Sequence, residues 1–242
     1  KSKWFGVDAL DYWDRNAPLP NDNDHNYSWD DARKTVLTAY GGFDPKMANV
    51  AEQFFENNWI DARLRAGKSS GAFSHSTVPS VHPYILMNFQ GKARDVMTLA
   101  HELGHAYHNH VTADLPPSQR AIPSTLAETA SIFAESLVRD AALRASKDDE
   151  SKRSMLDARL MAGVSFLMNI PMRYDFERAL YRLRRKGPFD PAVLREEIVG
   201  IQKRWYGDSL ERYDPSFWCA KLHFYIGGRS FYNYPYTYGY LF

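Results

Sequence analysis

His101, Glu102 and His105 set two imidazoles four residues apart around a carboxylate. On an α-helix, residues four apart share a face, so both histidines can offer ring nitrogens to one ion. Zinc takes such ligands at about 2.0–2.1 Å. Glu102, adjacent to the first histidine, can reach a water on that ion without binding the metal, the metallopeptidase arrangement of two ligands and one base. Zinc lowers the pKa of its bound water toward about 7, and the carboxylate can take a proton as the water attacks a carbonyl. One Zn2+ per chain is expected. The bland alternative is two surface histidines that happen to flank a glutamate. The helical pattern around them, and Gly104, small enough for close packing, weigh against it.

A catalytic zinc needs a third protein ligand and one open position. The metzincin pattern would put that ligand at position 111, which is Val111. His108 and His110 lie three and five residues beyond His105 and cannot easily converge on the same ion from one rigid helix. Polar groups at a helix end are the plainer reading of both. Glu128, within Leu126-Ala127-Glu128-Thr129-Ala130-Ser131, is the better candidate. A carboxylate among apolar residues is expensive to bury unless paired or metal-bound. Glu135 lies two turns further on the same face. It either orients a ligand histidine or is a solvated or ion-paired glutamate.

The elements that would position these residues are mostly helical. Ser28, with Asp31 three positions on, reads as a capping box opening a helix. Asp44-Pro45 opens another, with Met47, Val50, Ala51, Phe54 and Phe55 at helical spacing, expected to end near Gly67–Gly71. The segments 72–78 and 80–89, broken by Pro79 and Pro83, are rich in aromatic and β-branched residues, with Tyr84–Phe89 the best strand. The period turns helical from Ala93 to about His110. Further helices are expected from Pro123-Ser124, from about Glu150 to Arg185 with a kink at Pro171, and from Asp190-Pro191 to about Trp205. The fold class is therefore mainly α, with a small β-sheet next to the metal helix, and the 242 residues are expected to form a single catalytic domain.

Composition narrows the partners. The 30 basic and 29 acidic residues give a formal net charge of +1, no electrostatic reason to expect nucleic acid or an anionic membrane. No apolar run approaches the roughly 18 residues of a membrane span. The lone Cys219 excludes an internal disulfide and a cysteine zinc cluster, and agrees with a reducing, cytoplasmic setting. The chain starts Lys1-Ser-Lys-Trp-Phe, with no signal-peptide core and no initiating Met, so it is expected to be processed or a piece of something longer.

Four motifs together resemble a known family. They are Gly67–Ser74, Val81-His82-Pro83-Tyr84-Ile85-Leu86-Met87-Asn88-Phe89, Thr98–His105 and Leu126–Ser131. In this order they are similar to the oligoendopeptidase F family, relatives of thimet oligopeptidase, as are Lys221–Tyr225 and Phe231–Leu241. The resemblance implies a multi-helical, zincin-like catalytic domain with a deep channel, cleaving short peptides. It implies zinc held by His101, His105 and Glu128, with Glu102 as general base and acid. It implies a histidine and a tyrosine of the C-terminal segment as partners of the tetrahedral oxyanion: His223, and Tyr232 before Tyr240. A donor aimed at that oxygen stabilises the transition state more than the ground state. For any one tyrosine, the alternative is packing with its hydroxyl satisfied. His82 and Tyr84 are expected to meet substrate, on a strand resembling an active-site edge strand that could pair with an extended peptide. The alternative is a plain core strand. Relatives of this kind are longer, so an N-terminal domain of the same protein is expected as a further partner. A zinc-holding, peptide-binding fragment without independent turnover is the second reading, and a carboxypeptidase the third.

Overall fold

The computed structural model describes residues 1–18, 26–78 and 80–242, so Pro79 lies outside it. In chain order the described elements are α1 (Ser2–Phe5), β1 (Leu10–Asp11), α2 (Trp29–Phe43), α3 (Pro45–Glu56), β2 (Ile60–Asp61), β3 (Phe73–His75) and β4 (Tyr84–Leu86). They continue with α4 (Ala93–Val111), α5 (Ser124–Ala145), α6 (Asp149–Val164), α7 (Ile170–Arg184), α8 (Pro191–Tyr206), β5 (Leu210–Arg212) and α9 (Tyr234–Leu241). The fold is mainly α, as its residue pattern predicts. The chain divides into two compact units, Lys1–Asp22 with Leu156–Thr237, and Asn23–Met155 with Tyr238–Phe242.

In the second of these units the helix starts follow local chemistry. Ser28 Oγ accepts the Asp31 N–H at 3.0 Å, and the Asp31 carboxylate accepts the Ser28 N–H at 3.3 Å, so α2 opens on a capping box. Asp44 caps α3, with Pro45 in its first turn. That helix ends at Glu56, short of the expected Gly67. Asn58 takes a left-handed conformation (φ 57°) and turns the chain into β2; asparagine tolerates that region better than most residues. The core joins α2, α3, α4 and α5 through Val36, Tyr40, Val50, Phe54, Val96, Leu99, Leu103, Ala134 and Val138. Each large aliphatic side chain fully buried there contributes about 1.5–3 kcal/mol. The buried Tyr40 hydroxyl donates to the Ala100 carbonyl at 2.7 Å, fixing the middle of α4.

The sheet of this unit has the order β2-β4-β3. β4 runs parallel to β2, with Ile60 opposite Ile85, and antiparallel to β3, with Ser74 opposite Ile85. The expected edge strand is therefore the central one. Over Tyr84–Leu86 both flanks of its main chain are taken by neighbours, and β3 forms an outer edge. The strand is also shorter than Tyr84–Phe89, although Met87 and Phe89 still donate to the carbonyls of Asp61, the last residue of β2, and Ala62, just beyond it.

The other unit is built on α7 and α8, with Met172, Phe176, Leu194, Ile198, Ile201, Tyr206, Leu210 and Phe217 in its core, and a two-stranded parallel pair β1–β5. The long helix expected over 150–185 is interrupted by a π-helical stretch, Ser165–Asn169, just before Pro171. Proline has no N–H to give, and its ring crowds the carbonyl four residues back, at Leu167. A widened turn relieves both.

A candidate metal centre between two helices

Gly104 is what lets α4 and α5 come close enough to share a site. A Cβ on it would sit 2.7 Å from Ala134 Cβ and 2.9 Å from Ser131 Cα. At that approach His101 and His105, on one face of α4, meet Glu128 from the second turn of α5. Their ligating atoms all lie within 4.8 Å of one another. The two Nε2 atoms are 3.2 Å apart, and Glu128 Oε2 lies 3.4 Å from His101 Nε2 and 3.8 Å from His105 Nε2. Donors about 2 Å from one ion in a tetrahedron are on the order of 3.3 Å apart, so this donor set fits zinc in both chemistry and spacing.

A surrounding layer fixes these donors. Glu135 Oε1 lies 2.7 Å from His101 Nδ1, which turns Nε2 toward the cluster. Arg139 donates to the other Glu135 oxygen at 3.1 Å, and Ser131 Oγ donates to Glu128 Oε2 at 3.2 Å. Of the two readings of Glu135 left open by the sequence, both are present: it is bonded to His101 and ion-paired with Arg139. Arg139 and Ser131 were not singled out from sequence. Arg139, four residues beyond Glu135 on the same helix face, carried a readable signal.

The electrostatics favour a positive charge at this point. Burial alone would lower the His101 pKa, but its hydrogen bonds to Glu128 and Glu135 hold it up at about 10. His105 is pushed down to about 4 by burial and by the charge on His101, leaving a neutral imidazole. Glu128 is held low, because the hydrogen bond and charge of His101 outweigh its burial. Glu102, only 5% exposed, is pushed up to about 7, mainly by burial. The Ser74 backbone amide of β3 bonds its carboxyl group, while Oε2 is buried with no partner. A carboxyl group with one oxygen held and one unclaimed can take up a proton.

The other residues singled out from sequence lie elsewhere. His82 stacks on Trp59 (ring centroids 3.3 Å apart, 13° between planes) and helps line a cavity of about 410 Å³ that also contains Ala106, Asn109, His110 and Arg120. Tyr84 is 46% exposed, on the central strand of the sheet. Tyr240 stands on α9 in the same unit as the metal cluster. Its neighbour Gly239 packs its backbone on Glu128, where a Cβ would meet the Glu128 carbonyl group at 2.9 Å. His223 and Tyr232 belong to the other unit, with their rings 6.3 Å apart. His223 Nε2 is buried without a partner, and burial, then the charges of Arg173 and Lys221, push its pKa down to about 4.

Residues 43–241 match the model of Peptidase family M3. Oligopeptidase PepF of Bacillus subtilis is 26% identical over 99% of this chain and 36% of its own length. An oligoendopeptidase F homolog of Lactococcus lactis subsp. lactis is likewise 26% identical, over 99% of this chain and 40% of its own. Among solved structures, a chain from Chlamydophila abortus matches with a TM-score of 0.77 at 27% identity, over 98% of this chain and 40% of that one. PZ peptidase A with an inhibitor reaches 0.81 at 19% identity, over 99% and 43%, a likeness of fold alone. The chain thus spans about two fifths of the length of these relatives.

Proposed function

The chain belongs to peptidase family M3, and on that premise we propose that it is a zinc-dependent endopeptidase hydrolysing short oligopeptides. The observation that carries this reading is the convergence of His101, His105 and Glu128 beside an unclaimed oxygen of Glu102. These three residues would hold one zinc ion. When bound, zinc supplies Lewis-acid polarisation of the scissile carbonyl and acidifies water in its shell. Glu102 takes the proton from the attacking water and hands it to the departing amine. Its raised pKa suits both halves of that transfer. His223 and Tyr232, with Tyr240 as alternate, would donate to the oxygen that gains charge. Each such donor contributes about 10²–10³ in rate. His82 and Tyr84 would meet the substrate. Since β4 is central, a peptide adding by main-chain hydrogen bonds would join the sheet at β3. The whole span 1–242 would act as one catalytic domain, with the cytoplasm as its setting.

A quenched short peptide assayed with and without a chelator tests the activity. Cleavage that survives complete removal of metal would overturn the proposal. An end-blocked peptide separates this enzyme from a carboxypeptidase, which needs a free C-terminus. A second reading, a zinc-holding peptide binder without turnover of its own, is favoured by the two-fifths span alone. It predicts peptide binding and one zinc but no hydrolysis.

A further inference from the structure

Around His223 the protein gathers positive charge and leaves it unneutralised. Arg173, on α7, donates from Nε to Asn169 Oδ1 (2.8 Å) and from a terminal nitrogen to Asn233 Oδ1 (3.1 Å). Arg15 donates to the Tyr206 hydroxyl at 2.6 Å, and Asn169 Nδ2 donates to the same oxygen at 2.9 Å. The two guanidiniums are thus joined through neutral groups. Lys221 Nζ lies 5.0 Å from the centre of the Phe217 ring, and the Arg173 guanidinium carbon lies 5.5 Å from it. Among the described residues none of these three cations has a carboxylate at ion-pair distance. The acid whose field reaches Lys221, Asp214, has its Oδ1 occupied by the Ser216 N–H.

Burying charge without a counter-charge is costly, and the cations register that cost. Burial and the neighbouring charge of Arg15 lower Arg173 to about 10, despite the opposing influence of Tyr206 and Tyr236. Burial and the charges of Arg173 and Arg15 lower Lys221. Polar nitrogens beside them are also left over. Asn233 Nδ2, in a residue 5% exposed, has no partner, and neither has His223 Nε2. Asn233 therefore spends its oxygen on Arg173 and keeps its N–H₂ unspent. Positive charge with spare N–H groups is the complement of a planar anion, and guanidiniums bind carboxylates in two-pronged fashion.

We propose that Arg15, Arg173 and Lys221, with Asn233 Nδ2, form a receptor for a carboxylate of the bound peptide. The inference rests on the peptidase reading for the identity of its ligand, but its test does not need turnover. Two sources supply this chemistry, the free C-terminus of a short peptide and an Asp or Glu side chain.

The experiment is calorimetric titration of the full chain carrying Glu102→Gln, with three versions of one otherwise uncharged hexapeptide: C-terminal acid, C-terminal amide, and amide with an internal Glu. The acid should bind at least about tenfold more tightly than the amide. Arg173→Gln should bring that ratio near one. Arg173→Lys should restore part of it, and Arg182→Gln, which touches only the surface pair with Glu197, should keep it. If Arg173→Gln does not fold, Lys221→Gln supplies the same comparison. Tight binding by the internal-Glu amide assigns the receptor to acidic side chains, and tight binding by the acid alone assigns it to the terminus. Equal affinity of acid, amide and internal-Glu amide in the parent protein overturns the proposal. Absence of zinc or of hydrolysis in the unsubstituted chain would instead count against the peptidase reading and leave these ratios readable.

Discussion

Two histidines of this chain are driven in opposite directions. His101 sits between the carboxylates of Glu128 and Glu135 and is held up at about 10. His223 sits in the field of Arg173 and Lys221, with burial the leading cause, and is pushed down to about 4. One surrounding is rich in negative charge and suits a cation. The other is rich in positive charge and suits an anion. The same side chain thus meets hydrogen-bonding carboxylates in one unit and, besides its burial, two cations in the other. A metal-dependent peptidase, as proposed for this chain, would use both kinds of place, one for the metal and one to meet developing negative charge.

The largest effect should come from breaking the first surrounding. His105→Ala removes one of three ligands and should abolish both stoichiometric zinc, read by metal analysis, and hydrolysis. Striking the second should leave the metal alone: His223→Ala is expected to lower kcat/KM about 10²–10³-fold with zinc content unchanged. Loss of zinc in that variant would contradict the contrast. Glu135→Gln tests the layer behind the ligands. Metal affinity should fall about 10–100-fold, measured by competition with a chromogenic chelator. Gly104→Ala probes the close approach of α4 and α5. Overpacking against Ala134 and Ser131 is expected to cost about 1–3 kcal/mol, read as a lower Tm. The smallest effect concerns acid stability. His223 is held below its unfolded pKa of about 6.5, so the unfolded chain binds more protons between that value and about 4. Stability should fall as pH drops through this window. Urea titrations of His223→Gln should show a shallower loss there than the parent protein.

Much of the metal centre was legible because its signals are local. His101, Glu102 and His105 stand within one and a half helical turns, and Glu128 reads as a carboxylate stranded among apolar neighbours. Helix starts at Ser28, Asp44-Pro45 and Asp190-Pro191 were equally legible, since capping chemistry is written in adjacent residues. What escaped depends on distant pairing. The central place of β4 is decided by partners at Ile60 and Ser74, in strands of two and three residues too short to show a period. The end of α3 turned on the backbone of Asn58 rather than on Gly67 and Gly71 further along. Pro171 was read as a kink, but its effect is spread over the preceding turn as a π stretch. The cationic group draws on positions 15, 173, 221 and 233, and no spacing rule links residues so scattered.

The central claim is that Glu102 moves the proton at a zinc held by His101, His105 and Glu128. The direct test is Glu102→Gln, assayed together for bound zinc and for cleavage of a quenched oligopeptide. One zinc per chain retained, with hydrolysis reduced by about 10²–10⁴-fold or more, is the predicted result. Undiminished cleavage by the zinc-loaded variant would contradict it.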